Sequence, residues 1–206
     1  LSGVTFAVFY TVFGFPLGRL SDRVGRKPVI AFSCIAWSLM TMLCGMAGNF
    51  LTLLLARIGV AVGEAGGTAP SVAMVSDLYP ANRRSTALSF LMLGSSLGAI
   101  VGLGLGGWIA QHHGWRYAFL LIGAPGIFLG LLLLLTVRAP KPVTPVSKSV
   151  APDDGWLKTL VELFRMPSFL CLVLTGGAAA IAGYAIGTWS PSFLIRSHGL
   201  NLQEAG

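Results

Sequence analysis

Apolar residues dominate this chain in six long runs separated by short polar segments. The runs cover residues 1–18, 28–48, 51–76, 86–110, 117–137 and 168–195. A helix needs about 20 predominantly apolar residues to cross the hydrocarbon core of a bilayer. The pattern therefore predicts an all-α membrane protein with six transmembrane helices.

The overall composition agrees with this prediction. Charged residues make up 10% of the chain and hydrophobic residues 54%, whereas a soluble globular protein has about 25% charged residues. Very hydrophobic core helices of a large soluble protein are the alternative, but they would leave too little polar surface. The first run has no basic segment before it and is followed by five more, which excludes a signal peptide. We expect the chain, which begins at Leu1 and ends at Gly206, to be a fragment.

Lysine and arginine are distributed unevenly between the two sides of the predicted bundle. With the connections assigned alternately to two sides, eleven of these residues fall on one side and two on the other. The positive-inside rule makes the richer side cytoplasmic, which places the predicted loops 18–28, 77–85 and 138–167 there. Anionic lipid headgroups account for the net charge of +7 without a nucleic-acid partner. We expect a multi-pass protein of the bacterial inner (plasma) membrane.

The longest connection, residues 138–167, is rich in proline, lysine, serine and aspartate and predicts a linker. It divides the chain into 1–137, 138–167 and 168–206. The segment GWLKTLVELFR at 155–165 separates apolar and charged residues at helical spacing. We therefore predict a short amphipathic helix on the cytoplasmic membrane surface.

Two ionisable residues, Arg57 and Glu64, interrupt the third run. Their spacing places them within about 20° of each other and about 10 Å apart along one helix face, so both are expected to address one cavity. Intramembrane charges usually pair, face water or relay protons, which predicts a role for Glu64 in proton coupling or substrate contact. A structural, satisfied acid is the alternative for Glu64, and Arg57 can instead extend toward the outer surface.

The same run contains Gly63, Gly66, Gly67 and Pro70, which weaken the helical hydrogen-bond ladder. Such breaks are tolerated within a membrane where other groups satisfy the backbone or a cavity is lined. The sequence therefore predicts a kinked helix that lines a cavity.

Glycines recur at every fourth position of the fourth run, at Gly94, Gly98, Gly102 and Gly106. This spacing predicts a smooth stripe that allows close helix packing, either as a static contact or as a surface on which two halves rock. Residues 102–107 also match the G-x-G-x-x-G pattern of dinucleotide-binding sites. The match lies within a transmembrane run and lacks the preceding strand and the following acid of such a site, so it does not indicate dinucleotide binding.

Metal and cofactor chemistry finds no support in the sequence. The His112–His113 pair lacks companion ligands, and hydrolase and P-loop motifs are absent. Cys34, Cys44 and Cys171 lie in apolar runs and are expected to be small buried hydrophobic residues. We predict no cofactor, no metal site and no enzymatic activity.

The segment GRLSDRVGRKP at 18–28 resembles the signature loop of the major facilitator superfamily, with its G-x-L-x-D-R-x-G-R-K pattern. The segments RIGVAVGEAGGTAPSVAMVSDLYPANRRSTA at 57–87 and WSPSFLIRSHGL at 189–200 resemble the spinster-like branch, whose eukaryotic members move lysolipid or sphingolipid signals. The resemblance covers nearly the whole chain.

The resemblance implies helices two to seven of a twelve-helix fold. Residues 1–137 would be most of the N-terminal six-helix half, and 168–206 the truncated first helix of the C-terminal half. The implied function is secondary active transport of a small organic or lipid-like solute by alternating access, coupled to protons. A multidrug efflux antiporter of the same fold and a non-transporting membrane receptor or scaffold are the alternatives. The partners would be the substrate, protons, membrane lipids and the remainder of the chain.

The resemblance also implies roles for particular residues. Arg57 and Glu64 would line the cavity. A cytoplasmic gating network would latch one conformational state and comprise Gly18, Asp22, Arg23, Gly25, Arg26, Asp77 and Arg83. The two glycines of this network are expected to permit a tight turn. The Gly-Pro pair of the antiporter signature is absent, since Gly102 is followed by Leu103.

Overall fold

The computed structural model describes residues 3–137 and 156–199. These residues form helices and no strand. The helices are α1 (Val4–Val24), α2 (Arg26–Met46), α3 (Phe50–Ala65), α4 (Thr68–Leu78), α5 (Ala81–His113), α6 (Trp115–Thr136), α7 (Trp156–Arg165) and α8 (Pro167–His198). Six spans are long and apolar enough to cross a membrane, with α3 and α4 together forming the third. The predicted fold class is thereby confirmed.

The chain divides into two compact units, Leu1–Val143 and Thr144–Gly206. The first unit contains α1 to α6 and the second contains α7 and α8. The division falls within the predicted linker, of which residues 138–155 lie outside the described residues. The predicted amphipathic helix is present as α7, and its place on the membrane surface stays a prediction.

The prediction that residues 18–28 form a loop is wrong. Helix α1 continues through Gly18 to Val24, and α2 begins at Arg26, so the joint is Gly25 alone. Gly25 has φ 106°, a conformation that favours glycine, whereas Gly18 is helical and forms no turn. The end of an apolar run marks the edge of the hydrocarbon core, and a helix can continue into the headgroup region with polar residues.

The predicted loop 77–85 is also shorter than expected. Helix α4 ends at Leu78 and α5 begins at Ala81. At the other end of the bundle, α5 and α6 are joined through Gly114, which has φ 87°. The first unit is therefore built from closely connected helices, which restricts how far neighbouring helix ends can separate.

The third span is broken between α3 and α4 at Gly66 and Gly67, which confirms the predicted kink. The Gly66 N–H donates to the Gly63 carbonyl at 3.2 Å, and the Gly67 N–H donates to the Glu64 carbonyl at 2.9 Å. Pro70 lies in the first turn of α4, where a missing N–H breaks no intrahelical bond. The break is tolerated because its own backbone groups are satisfied.

Helix α2 lies at the centre of the first unit, with α6 and α3 packed closely against it. Glycines on α6 make the α2–α6 contact close. A Cβ at Gly123 would lie 2.9 Å from the Ser38 carbonyl oxygen, and one at Gly130 would lie 3.0 Å from the Ala31 carbonyl oxygen. This contact was not predicted from the sequence, although the segment GAPGIFLG at 123–130 carries glycines on one side of the helix.

The predicted glycine stripe of α5 is mostly open in the described part of the chain. A Cβ at Gly106 would lie 3.1 Å from Ile122 Cδ1, whereas Gly94, Gly98 and Gly102 have no such neighbour within 4 Å among the described residues. Close packing at these three positions stays a prediction.

Replacement of Gly123 by alanine is expected to destabilise the full-length protein by about 1–3 kcal/mol, because overpacking forces α2 and α6 apart. Gly14→Ala in α1 is the matched control, since a Cβ there meets nothing within 4 Å in the described structure. Thermal unfolding in detergent measures both. Equal melting temperatures for the two variants would contradict the close α2–α6 contact.

Candidate functional site

A cavity of about 800 Å³ lies beside the break between α3 and α4. Its polar lining comprises Glu64 and three hydroxyl-bearing residues, and its apolar lining comes from α2, α5 and α6. The lining residues are Trp37, Glu64, Gly67, Thr68, Ser71, Leu91, Met92, Ser95, Gly98 and Ile122. The cavity can therefore contact both the polar and the apolar part of an amphipathic solute.

Glu64 lies in the last turn of α3, immediately before the break, and is half-buried. No ion pair or hydrogen bond from another described residue reaches its carboxylate. The break uses only its backbone carbonyl. The Glu64 side chain thus lies in the cavity wall, and its role in proton coupling or substrate contact stays a prediction.

A tyrosine from α1 approaches the same region. The Tyr10 hydroxyl donates to Thr68 Oγ1 at 3.2 Å, next to the cavity that Thr68 lines. Tyr10 was not predicted as a site residue, because one tyrosine within an apolar run does not indicate which way its side chain points. This contact connects α1 to the first turn of α4.

Arg57 does not line this cavity, contrary to the expectation that it shares one cavity with Glu64. Its guanidinium carbon lies 5.1 Å from the centre of the Phe119 ring. The two residues share a face of α3, but about 10 Å along the axis separates them. That distance places Arg57 beside Phe119 in the first turns of α6. A functional role for Arg57 stays a prediction.

At the end of the bundle that is predicted to be cytoplasmic, Arg26 forms an ion pair with Asp77. The Arg26 guanidinium also donates to the Ala73 carbonyl. The pair joins the first residue of α2 to the last turn of α4, and the side chains are 23% and 35% exposed. The cation also lies at the C-terminal end of α4, where the helix dipole favours positive charge.

The other charged residues predicted for the gating network are not joined to this pair. Asp22 and Arg23 are exposed on the last turn of α1, and neither forms an ion pair within the described ranges. Arg83 is also exposed, whereas its neighbour Arg84 donates to the Ser76 carbonyl at 2.8 Å. Arg84 therefore joins α5 to the end of α4 by a hydrogen bond that was not predicted from the sequence.

The residues considered for metal binding or disulfides lie apart. No group of three or more His, Cys, Asp or Glu side chains that could hold a metal ion occurs in the described segments. His112 Nδ1 lies 2.9 Å from the Trp108 carbonyl oxygen. Cys44 is buried and Cys34 half-buried, as expected for apolar runs, whereas Cys171 is exposed on α8.

Comparison with known proteins links this arrangement to membrane transporters. The family described as the Major Facilitator Superfamily matches residues 1–206. The chain is 36% identical over its full length to 47% of an MFS-type efflux pump of Mycolicibacterium smegmatis. It is 32% identical over 95% of its length to 39% of protein spinster homolog 1 of Homo sapiens.

A solved structure has the same fold. The crystal structure of a bacterial homolog of the human lysosomal transporter Spinster, inward-facing and unoccupied, superposes with a TM-score of 0.76 at 34% identity. The match covers 98% of this chain and 48% of that chain. The chain thus spans about half the length of the proteins it resembles, or less.

Proposed function

Because this chain belongs to the Major Facilitator Superfamily, we propose that it forms part of a proton-coupled secondary transporter for a small organic or lipid-like solute. The observation that supports this proposal is the placement of Glu64. An acid with no ion-pair partner among the described residues lines a cavity at a break in a membrane span. Intramembrane acids in such surroundings typically belong to proton or substrate pathways.

The proposed mechanism is alternating access. Opening of the cavity to one side and then the other would change the hydration of Glu64 and its distance from Arg57. A carboxyl group binds or releases a proton when its surroundings change in this way. The conformational change and proton movement are thereby coupled, and the Arg26–Asp77 pair would hold the cytoplasmic ends of α2 and α4 together in one state.

The cavity lining supports a solute with both polar and apolar parts. Leu91, Met92 and Ile122 offer an apolar wall, while Thr68 and Ser95 offer hydroxyl groups. An apolar pocket with a few polar groups is typical of small-molecule sites. We further propose that the transporter lies in a bacterial inner membrane, with Arg26 on the cytoplasmic side and with membrane lipids and the remainder of its chain as partners.

Efflux of drugs by the same fold is the second candidate function. It is favoured by the similarity to the Mycolicibacterium smegmatis protein named an MFS-type efflux pump. The two candidates differ in substrate and direction, and they share the proton-coupled cycle. A membrane receptor or scaffold, in contrast, would need neither Glu64 nor a pH gradient.

The decisive assay uses the full-length protein in proteoliposomes with an imposed pH gradient. Lysolipids, cationic drugs and sugars are offered in turn, and we expect movement of at least one class that a protonophore abolishes. Lysolipid movement supports the lipid-like substrate, and drug movement supports the efflux pump. Correctly folded protein that moves no solute would contradict transport and favour the scaffold.

A further inference from the structure

We propose that Phe119 is a positioning residue that holds the Arg57 guanidinium beyond ion-pairing distance of Glu64. This inference rests on the proposed proton coupling through Glu64. Arg57 and Glu64 lie on one face of α3 and form no ion pair in the described structure. Instead, the Arg57 guanidinium carbon lies 5.1 Å from the centre of the Phe119 ring, within the range of a cation–π interaction.

The ring contacts this guanidinium directly, whereas the Arg57 charge acts on Glu64 and Cys44 only through space. No described hydrogen-bond acceptor or carboxylate binds the Arg57 side chain within bonding distance. An arginine stacks readily on an aromatic face because its planar cation is weakly hydrated. The Phe119 ring therefore favours one position of the long Arg57 side chain, the one beside α6.

Close packing at α2 fixes the position of Phe119 itself. A Cβ at Gly45 would lie 3.2 Å from Phe119 Cβ and 2.6 Å from the Arg116 carbonyl oxygen. The first turns of α6 therefore lie directly on the end of α2. The Arg116 guanidinium donates to the Ala47 carbonyl at 3.2 Å, which holds the same two helix ends together.

Aromatic and apolar contacts restrain the ring from other sides. The Trp115 and Phe119 rings meet edge to face, with centroids 6.0 Å apart and an interplanar angle of 89°. Phe119 also packs against the buried cluster of Cys44, Ala56 and Val60. Because α2, α3 and α6 restrain its ring, Phe119 provides a fixed binding surface for the Arg57 cation.

The helices around Arg57 carry few acids, so an effect of Phe119 on Glu64 can be isolated. Besides Arg57, the charged or titratable residues of α1 to α4 and α6 are Tyr10, Arg19, Asp22 and Arg23 on α1, Arg26, Lys27, Cys34 and Cys44 on α2, Glu64 on α3, Asp77 on α4, and Arg116 and Tyr117 on α6. Glu64 is the one acid on the same face of α3. A guanidinium released from Phe119 therefore has Glu64 as its nearest carboxylate along α3.

The test compares Phe119→Leu with Phe119→Tyr in the full-length protein. Leucine removes the ring, and tyrosine keeps it. A hydrophobic carbodiimide, which reacts with protonated carboxyl groups in apolar surroundings, labels Glu64 across a pH series, and mass spectrometry quantifies the product. We expect about tenfold less labelling at neutral pH in Phe119→Leu, because a nearby cation favours the charged carboxylate.

Phe119→Tyr is expected to label as the wild type does. Phe128→Leu is the matched control, since Phe128 lies on the same helix and is 66% exposed. Size-exclusion profiles verify folding, and Phe119→Met replaces Phe119→Leu if the latter does not fold. Unchanged labelling in the ring-free variant, or equal loss in Phe119→Tyr, would overturn the proposal.

Labelling of Glu64 does not require transport, so the two proposals fail separately. A wild type that shows no movement of solute under a pH gradient contradicts the proposed function. The role of Phe119 is contradicted if the wild type transports and Phe119→Leu leaves the pH profiles of both labelling and transport unaltered. That outcome leaves the proposed function intact.

Discussion

Glu64→Gln is expected to abolish the stimulation of transport by a pH gradient in proteoliposomes of the full-length protein. Glutamine keeps the size and hydrogen-bonding capacity of the side chain but cannot exchange a proton. Proton transfer by a positioned carboxyl group is the step that couples the gradient to the cycle, so we expect a fall of at least about tenfold in gradient-driven uptake, in line with the loss of a positioned acid–base group.

Solute exchange without a gradient separates coupling from folding. We expect Glu64→Gln to retain counterflow, because the cavity keeps its shape and its other lining residues. Glu162→Gln is the matched control, since Glu162 is exposed on α7. Gradient-driven uptake at the wild-type rate in Glu64→Gln would remove this acid from proton coupling.

Asp77→Asn is expected to slow transport by about tenfold, which corresponds to about 1.4 kcal/mol. The change removes the carboxylate that Arg26 binds, and it leaves a half-buried cation at the end of α4. An exposed pair contributes about 0–1 kcal/mol, and the partial burial of both side chains raises the expected effect. Transport rates are measured at equal amounts of membrane-inserted protein.

A double-mutant cycle of Arg26→Gln and Asp77→Asn isolates the pair, because contacting residues have non-additive effects. Asp22→Asn is the comparison, since Asp22 is exposed and forms no ion pair in the described structure. Asp22→Asn is expected to impair the conformational cycle more than membrane insertion. Its effect on thermal stability is expected to add to that of Arg26→Gln. Additive effects of Arg26→Gln and Asp77→Asn would show that the ion pair does not stabilise either state.

Several features of this protein follow from local sequence alone. The six spans follow from the apolar runs, because twenty or so apolar residues suffice to specify a membrane helix. The break between α3 and α4 follows from Gly66, Gly67 and Pro70, whose backbone effects do not depend on distant residues. The amphipathic character of α7 is likewise visible in its own residues. Glu64 could also be predicted as a candidate site residue from the sequence, because burying an acid within a membrane span has a high free-energy cost wherever the helix packs.

Other features depend on tertiary structure. The α2–α6 contact through Gly123, the place of Arg57 on Phe119 and the contact of Arg84 with α4 join residues from different helices. Arg26 and Asp77 were paired only through the family resemblance, since 51 residues separate them. Periodicity gives the face of a helix on which a residue lies, whereas the rotation and axial position of neighbouring helices determine what that face contacts. Helix packing therefore decided that Glu64 faces the cavity while Arg57, two turns away, lies against an aromatic ring.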